Sequence, residues 1–89
     1  MTYEINFLAE AQEDLKKLPW LEAKRIVKKI GSSLSVNPFP RGKNPKCLRG
    51  KPRRYRLRTG NYRVIYRVES REVVVEVVGN RRDVYRRLK

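Results

Sequence analysis

The chain has no histidine and a single cysteine, Cys47. Cys47 therefore has no partner for an internal disulfide, and a zinc site built on Cys and His ligands is excluded. The lack of histidine also removes the side chain that most often exchanges protons near neutral pH. Acid–base chemistry, if there is any, must come from Arg, Lys, Tyr or carboxylates. No apolar run approaches the length that spans a bilayer, the start carries no signal-peptide pattern, and the expected location is the cytoplasm. Negative charge is scarce as well: 9 Asp and Glu stand against 23 Lys and Arg, which leaves a net charge of +14 over 89 residues. Such a field attracts polyanions, with nucleic acid the first partner class and an acidic protein the second. The length fits one domain over residues 1–89 with one modest core.

What the chain has in plenty is arginine, and the arginines are patterned. From Arg53 to Val68 the residues alternate as they do in strands. Tyr55 and Leu57 point one way and Arg54, Arg56 and Arg58 the other; then Tyr62, Val64, Tyr66 and Val68 form one row and Arg63, Ile65 and Arg67 the other. A Thr59-Gly60 turn sets Arg58 opposite Asn61 and Arg56 opposite Arg63, and a four-residue loop from Thr59 to Tyr62 keeps the same faces. An odd loop would place Leu57 opposite Arg63 and expose the apolar row, so it is rejected. The hairpin thus carries an arginine-studded face opposite an aromatic and aliphatic one.

Tyr3, Ile5 and Phe7 alternate with polar residues and predict a short first strand. Leu8, Ala11, Leu15 and Leu18 then fall at helical spacing, with acidic residues first and lysines last as the helix dipole favours. Pro19 separates this helix from a second over Trp20 to Val36, whose inward stripe is Leu21, Ala23, Ile26, Val27, Ile30 and Leu34. The proline- and glycine-rich stretch from Asn37 to Pro52 is a basic loop with Leu48 as its anchor to the core. Val73-Val74-Val75-Glu76-Val77-Val78 is a third meander strand buried on both faces, Glu76 is expected to pair with a nearby arginine or to lie at an edge, and Tyr3, Tyr55, Tyr62 and Tyr66 are expected in the core. After Gly79-Asn80, Val84 and Leu88 are spaced for a short terminal helix. The predicted fold class is α+β: a β-α-α-β-β-β order with a short C-terminal helix, a small antiparallel sheet packed by a helical hairpin.

The ordered set Leu48-Arg49-Gly50, Tyr55-Arg56-Leu57-Arg58, Gly60-Asn61-Tyr62-Arg63-Val64-Ile65-Tyr66 and Gly79-Asn80-Arg81-Arg82-Asp83-Val84-Tyr85, with the helical hairpin before it, resembles the RelE family of bacterial and archaeal toxins. The resemblance implies a sheet and helices similar to those of microbial ribonucleases, ribosome-dependent cleavage of mRNA in the ribosomal A site that inhibits translation, and inhibition by a cognate RelB-like antitoxin. It calls for no cofactor and no metal. The family's functional positions fall on Arg56, Arg58, Arg63, Arg81 and Tyr85, with Arg82 an adjacent alternative to Arg81.

On that reading Arg63 and Arg81 contact the phosphate and the developing negative charge, Arg56 and Arg58 hold the scissile region, and Tyr85 is the general base. Many members carry lysine where this chain has Arg56 and Arg58; arginine does not give up its proton, which leaves the phenol as the base. Lys43, Lys46, Arg49, Lys51, Arg53, Arg54 and Arg82 are the expected contacts to ribosomal RNA and mRNA phosphates. Two other readings stand beside this one. The first is a ParE-like toxin that acts on DNA gyrase without RNase activity; the second is a basic RNA-binding protein without catalysis, for which the charge alone suffices.

Overall fold

The computed structural model describes residues 2–88. Its elements run β1 (Glu4–Phe7), α1 (Ala9–Lys16), α2 (Trp20–Leu34), β2 (Lys46–Cys47), β3 (Tyr55–Thr59), β4 (Tyr62–Glu69), β5 (Glu72–Asn80) and α3 (Arg81–Arg87). The strands form one five-stranded sheet in the order β1-β5-β4-β3-β2. The α+β expectation holds, with one strand more than the sequence pattern predicts. That strand, β2, is two residues long and sits at the sheet edge in the loop, too short to show a period.

The hairpin keeps the predicted faces but shifts the turn. Arg58 pairs with Arg63, Leu57 with Val64 and Thr59 with Tyr62, so the turn residues are Gly60 and Asn61 rather than Thr59 and Gly60. Arg56 consequently lies opposite Ile65, not Arg63. The first turn position takes φ +61°, which glycine adopts freely and a β-branched threonine does not. The turn chemistry therefore moves Thr59 into the ladder.

The sheet is not wholly antiparallel. β1 pairs parallel with β5, Ile5 beside Val73 and Phe7 beside Val75, because the chain leaves β1 through the helices and crosses the sheet before β5 returns. This places β5 between β1 and β4, and its valines Val73, Val74, Val75, Val77 and Val78 are buried. A bulge interrupts the β4–β5 ladder: Ile65 faces Val77 while Tyr66 faces Val75. Glu76 and Val77 thereby share a face, and alternation resumes with Val78 on the other.

The two faces are covered differently. On one, Ala11, Ile26, Ile30 and Leu34 pack against Leu57, Val64, Tyr66, Val73, Val75 and Val78. On the other, α3 lays Val84 on Ile65 and Val77, flanked by Leu48, Tyr85 and Leu88. The arginine row thus shares its face with a small second core, and Leu48 is the predicted loop anchor. Leu21 and Val27, expected inward, are 56% and 43% exposed. Ile26, Ile30 and Leu34 recur every four residues and form a seam too narrow to include them.

Tyr66 is fully buried, and Tyr3, Tyr55 and Tyr62 are partly buried against the same core. The Tyr66 hydroxyl donates to the Pro38 carbonyl at 2.6 Å, which fastens the start of the basic loop to the sheet. Tyr66→Phe strands that carbonyl and is expected to cost about 1–3 kcal/mol, read as a lower urea midpoint at unchanged slope.

Candidate active site

Strand alternation and register put Arg56, Arg58 and Arg63 on one face around the second core. The arginines are fixed in different ways. Arg56 donates from one terminal nitrogen to the Lys43 carbonyl and from the other to the Tyr85 hydroxyl, each at 3.2 Å. Arg63 is tied back to its own turn, donating to the Gly60 carbonyl at 3.3 Å and the Tyr62 carbonyl at 3.1 Å. Arg58 is exposed, while its backbone is held by Asn44, whose side chain accepts from the Arg58 N–H at 2.7 Å and donates to its carbonyl at 2.9 Å. The Nε groups of Arg56 and Arg63 are buried without a hydrogen-bond partner among the described residues.

α3 brings the tyrosine. It starts where the Asn80 side chain accepts from the Asp83 N–H at 2.9 Å, with Asp83 in the first turn and Arg86 and Arg87 in the last, as the helix dipole favours. Gly79 permits the close seat: a Cβ there would come within 3.2 Å of a Val84 methyl. At 100° per residue, Val84 and Leu88 point to the sheet, Tyr85 to one flank and Arg87 to the other.

The Arg87 flank is clamped. Arg87 donates to Asp14 at 3.0 Å and also pairs with Glu10, and the other Asp14 oxygen accepts from the Val78 N–H at 3.0 Å. Asp14 is only 8% exposed. One carboxylate thus joins α1, β5 and α3 and fixes the rotation that aims Tyr85 at the arginines. In the sequence Asp14 has no expected role beyond the acidic first half of this helix. The available signal was its place three residues after Ala11 and four before Leu18, on the core-facing side of α1.

Tyr85 is half-buried between the hairpin and its own helix. Burial pushes its phenol up, but hydrogen bonds and positive charge from Arg56 and Arg63 outweigh burial and hold it below the usual tyrosine value. Burial lowers Arg63 from the ordinary arginine value, opposed by the facing Tyr85 oxygen and reinforced by Arg56 and Arg58.

Two grooves meet at this tyrosine. One, of about 370 Å³, is lined by Leu48, Leu88, Lys46, Arg49, Lys51 and Arg56 among others. The second, of about 580 Å³, is lined by Asn61, Arg63, Asn80, Arg81 and Arg82. Arg81 sits at the head of α3, its backbone N–H on the Asn61 carbonyl at 3.3 Å.

The predicted catalytic set therefore converges: Arg56, Arg63 and Tyr85 are in one cluster, Arg81 lines the same groove as Arg63, and Arg58 is next to Arg63 across the ladder. The expected phosphate contacts divide. Lys46, Arg49 and Lys51 line the first groove and Arg82 the second. Lys43 is exposed and contributes its carbonyl to Arg56; Arg53 is exposed at a turn with φ 61°. Arg54 is not brought to the cluster. Its guanidinium binds Glu76 at 2.6 Å, and Glu76 also takes Arg67 at 2.5 Å. The bulge puts this carboxylate on the arginine face, where it pairs as expected.

Comparison with known proteins fits this architecture. The profile of the ParE toxins of type II toxin–antitoxin systems matches residues 5–85. The toxin RelG of Mycobacterium tuberculosis is 33% identical, over 98% of this chain and 100% of that protein. Among solved structures, a chain of the RelBE2 toxin–antitoxin complex of M. tuberculosis superposes with a TM-score of 0.77 at 29% identity, covering 91% of this chain and 100% of that one. A variant of the E. coli toxin RelE in the free state superposes with 0.76 at 28% identity, covering 97% and 93%. The chain belongs to the RelE/ParE family of toxins of type II toxin–antitoxin systems.

Because Arg87 and Tyr85 occupy opposite flanks of a helix only seven residues long, Arg87→Ala is expected to loosen α3. The loss of its charged hydrogen bond to the buried Asp14 should cost about 1.5–3 kcal/mol, seen by denaturant unfolding. Faster amide exchange in α3 than in β4 should accompany it.

Proposed function

We propose that this toxin is a single-domain, ribosome-dependent endoribonuclease that cleaves mRNA in the ribosomal A site and so inhibits translation in the cytoplasm. The observation that carries the reading is the Tyr85 phenol, bonded to Arg56 and facing Arg63, with its acidity raised by both. The Tyr85 oxygen takes the proton of the ribose 2′-OH. The resulting alkoxide attacks phosphorus, the P–O5′ bond breaks, and the products are a 2′,3′-cyclic phosphate and a 5′-hydroxyl end. Arg63 and Arg56 hold the non-bridging oxygens as charge grows on them. Arg81, beside Arg63 in the groove, hydrogen-bonds the leaving 5′-oxygen, which takes its proton from solvent water, while the Tyr85 phenol returns the ribose proton to solvent. Arg58 extends the cationic track along the backbone.

This site has few groups of tunable pKa, and so much of the acceleration has to come from positioning. A ribosome that holds the mRNA in an attack geometry supplies it. Lys43, Lys46, Arg49, Lys51 and Arg82, with the peripheral Arg53, bind ribosomal RNA phosphates; Arg54 contributes less because Glu76 holds it. The partner that restrains the toxin is a RelB-like antitoxin, a reading supported by the toxin–antitoxin complexes to which the chain is similar. Acidic and apolar helical segments would complement its basic faces.

The gyrase reading has the ParE profile in its favour. Against it, a gyrase-directed toxin has no need for a phenol held between guanidinium groups. Mapping RNA ends after incubation with ribosomes programmed with mRNA separates the two: breaks inside the A-site codon are expected, and intact mRNA would overturn the nuclease reading. Single-turnover cleavage should rise with pH toward a value below the ordinary tyrosine pKa of about 10, because the base acts deprotonated. Tyr85→Phe should lower the rate by about 10²–10⁴-fold and flatten the pH dependence.

A further inference from the structure

The outer edge of β3 is covered by two kinds of partner. At its start the cover is backbone: Leu48 donates its N–H to the Arg54 carbonyl at 2.9 Å, and β2 pairs Lys46 with Arg56. The same register brings Asn44 opposite Arg58, but β2 has ended by then, and the intervening Pro45 has no N–H with which to prolong a ladder. The N–H and carbonyl of Arg58 would be left to solvent. Instead the Asn44 side chain takes both, its Oδ1 accepting from the N–H at 2.7 Å and its Nδ2 donating to the carbonyl at 2.9 Å. A side-chain amide carries a donor and an acceptor side by side, as a peptide group does, so Asn44 completes with its side chain the edge that a longer β2 would complete with its backbone.

The residue before it grips the other arginine of the strand. The Lys43 carbonyl accepts from one terminal nitrogen of Arg56, whose other terminal nitrogen donates to the Tyr85 hydroxyl, each at 3.2 Å. Farther back the loop is tied to the rest of the fold, where Tyr66 bonds the Pro38 carbonyl and Arg41 donates to the Ser33 hydroxyl at 2.9 Å. Those ties reach the sheet core and α2; the Asn44 amide joins the loop to β3 directly beside the Lys43 carbonyl. We propose that Asn44 is a positioning residue of the candidate active site: by closing the outer edge of β3 at Arg58 it fixes where the Lys43 carbonyl stands, and with it the direction in which Arg56 presents its guanidinium to the Tyr85 oxygen. The effect on cleavage rests on the nuclease reading above; the effect on Arg56 and Tyr85 does not. Asn44 touches neither the phenol nor the Arg56 side chain and acts through the loop. Its two hydrogen bonds lie at a solvated edge, where each adds little to stability, whereas a displacement of about 1 Å in a reacting group can cost about 10²-fold in rate. Aim, rather than fold, is what its removal loses.

Two variants of the full chain separate these effects. Asn44→Ala removes the amide, and Lys43→Ala removes a basic side chain while keeping the carbonyl. Single-turnover cleavage on ribosomes programmed with mRNA is followed over a range of toxin concentrations, and Tyr85 is titrated by NMR in the free proteins well below their unfolding temperatures. Asn44→Ala is expected to lower the saturating rate by about 10–10²-fold, to leave the half-saturating concentration in place, and to move the Tyr85 titration toward the ordinary tyrosine value, with the urea midpoint little changed. Lys43→Ala should raise the half-saturating concentration and leave the Tyr85 titration in place. An Asn44→Ala chain that keeps the parent's Tyr85 titration overturns the assignment, and so does one whose rate falls only as far as its folded fraction falls. If the parent itself leaves ribosome-bound mRNA uncut, the nuclease reading fails, and the Tyr85 titration alone decides for or against Asn44.

Discussion

The contact between the Arg56 guanidinium and the Tyr85 hydroxyl, with Arg63 facing the same oxygen, is the constraint around which this molecule is arranged. It joins residues 29 apart in sequence, one on a hairpin strand and one on a terminal helix, and it needs each held from behind. Arg56 is held through the Lys43 carbonyl of the basic loop, itself fastened to the sheet where Tyr66 bonds Pro38. Tyr85 is held through Val84 beneath its helix and Arg87 on the far flank. Neither anchor touches both groups, yet both determine whether the phenol meets the guanidinium.

Crowding cations on one face is unfavourable in itself, and the molecule offsets it with few carboxylates. Glu76, displaced by the bulge onto the arginine face, pairs with Arg54 and, together with Glu69, with Arg67, which leaves Arg56, Arg58 and Arg63 of β3 and β4 without a carboxylate partner among the described residues. Asp14 and Glu10 do the same for Arg87. Glu76, Asp14 and Glu10 thus tie elements of the fold together. The Tyr85 oxygen accepts from Arg56 inside the field of the arginine face and faces Arg63, which is why its proton is loosened.

The hairpin was legible in the sequence because a period of two leaves no freedom about which side chains share a face. Its register was not, since one glycine's positive φ decided the turn. The valine run of β5 announced a doubly buried strand; the parallel partner β1 did not announce itself, because parallel pairing depends on a crossover that no local pattern records. Ile65, sitting in the arginine row, was the trace of the second core that α3 covers. The meeting of Tyr85 with Arg56 was anticipated only through family likeness, for nothing in residues 81–88 points at a strand near position 56. Asp14 was missed because a helix carboxylate in a charged sequence looks solvated until its place on the apolar stripe is counted.

The most direct test of this arrangement is the titration of Tyr85 in the free protein, followed by NMR of tyrosine labelled at the ring carbon bearing the hydroxyl. Tyr85 should lose its proton below the ordinary tyrosine pKa of about 10, with Tyr66, pushed up by burial, titrating above it, and Arg56→Ala should move Tyr85 upward. A Tyr85 that titrates at or above the ordinary value, unmoved by removal of Arg56, would contradict the phenol–guanidinium pair as the centre of the site.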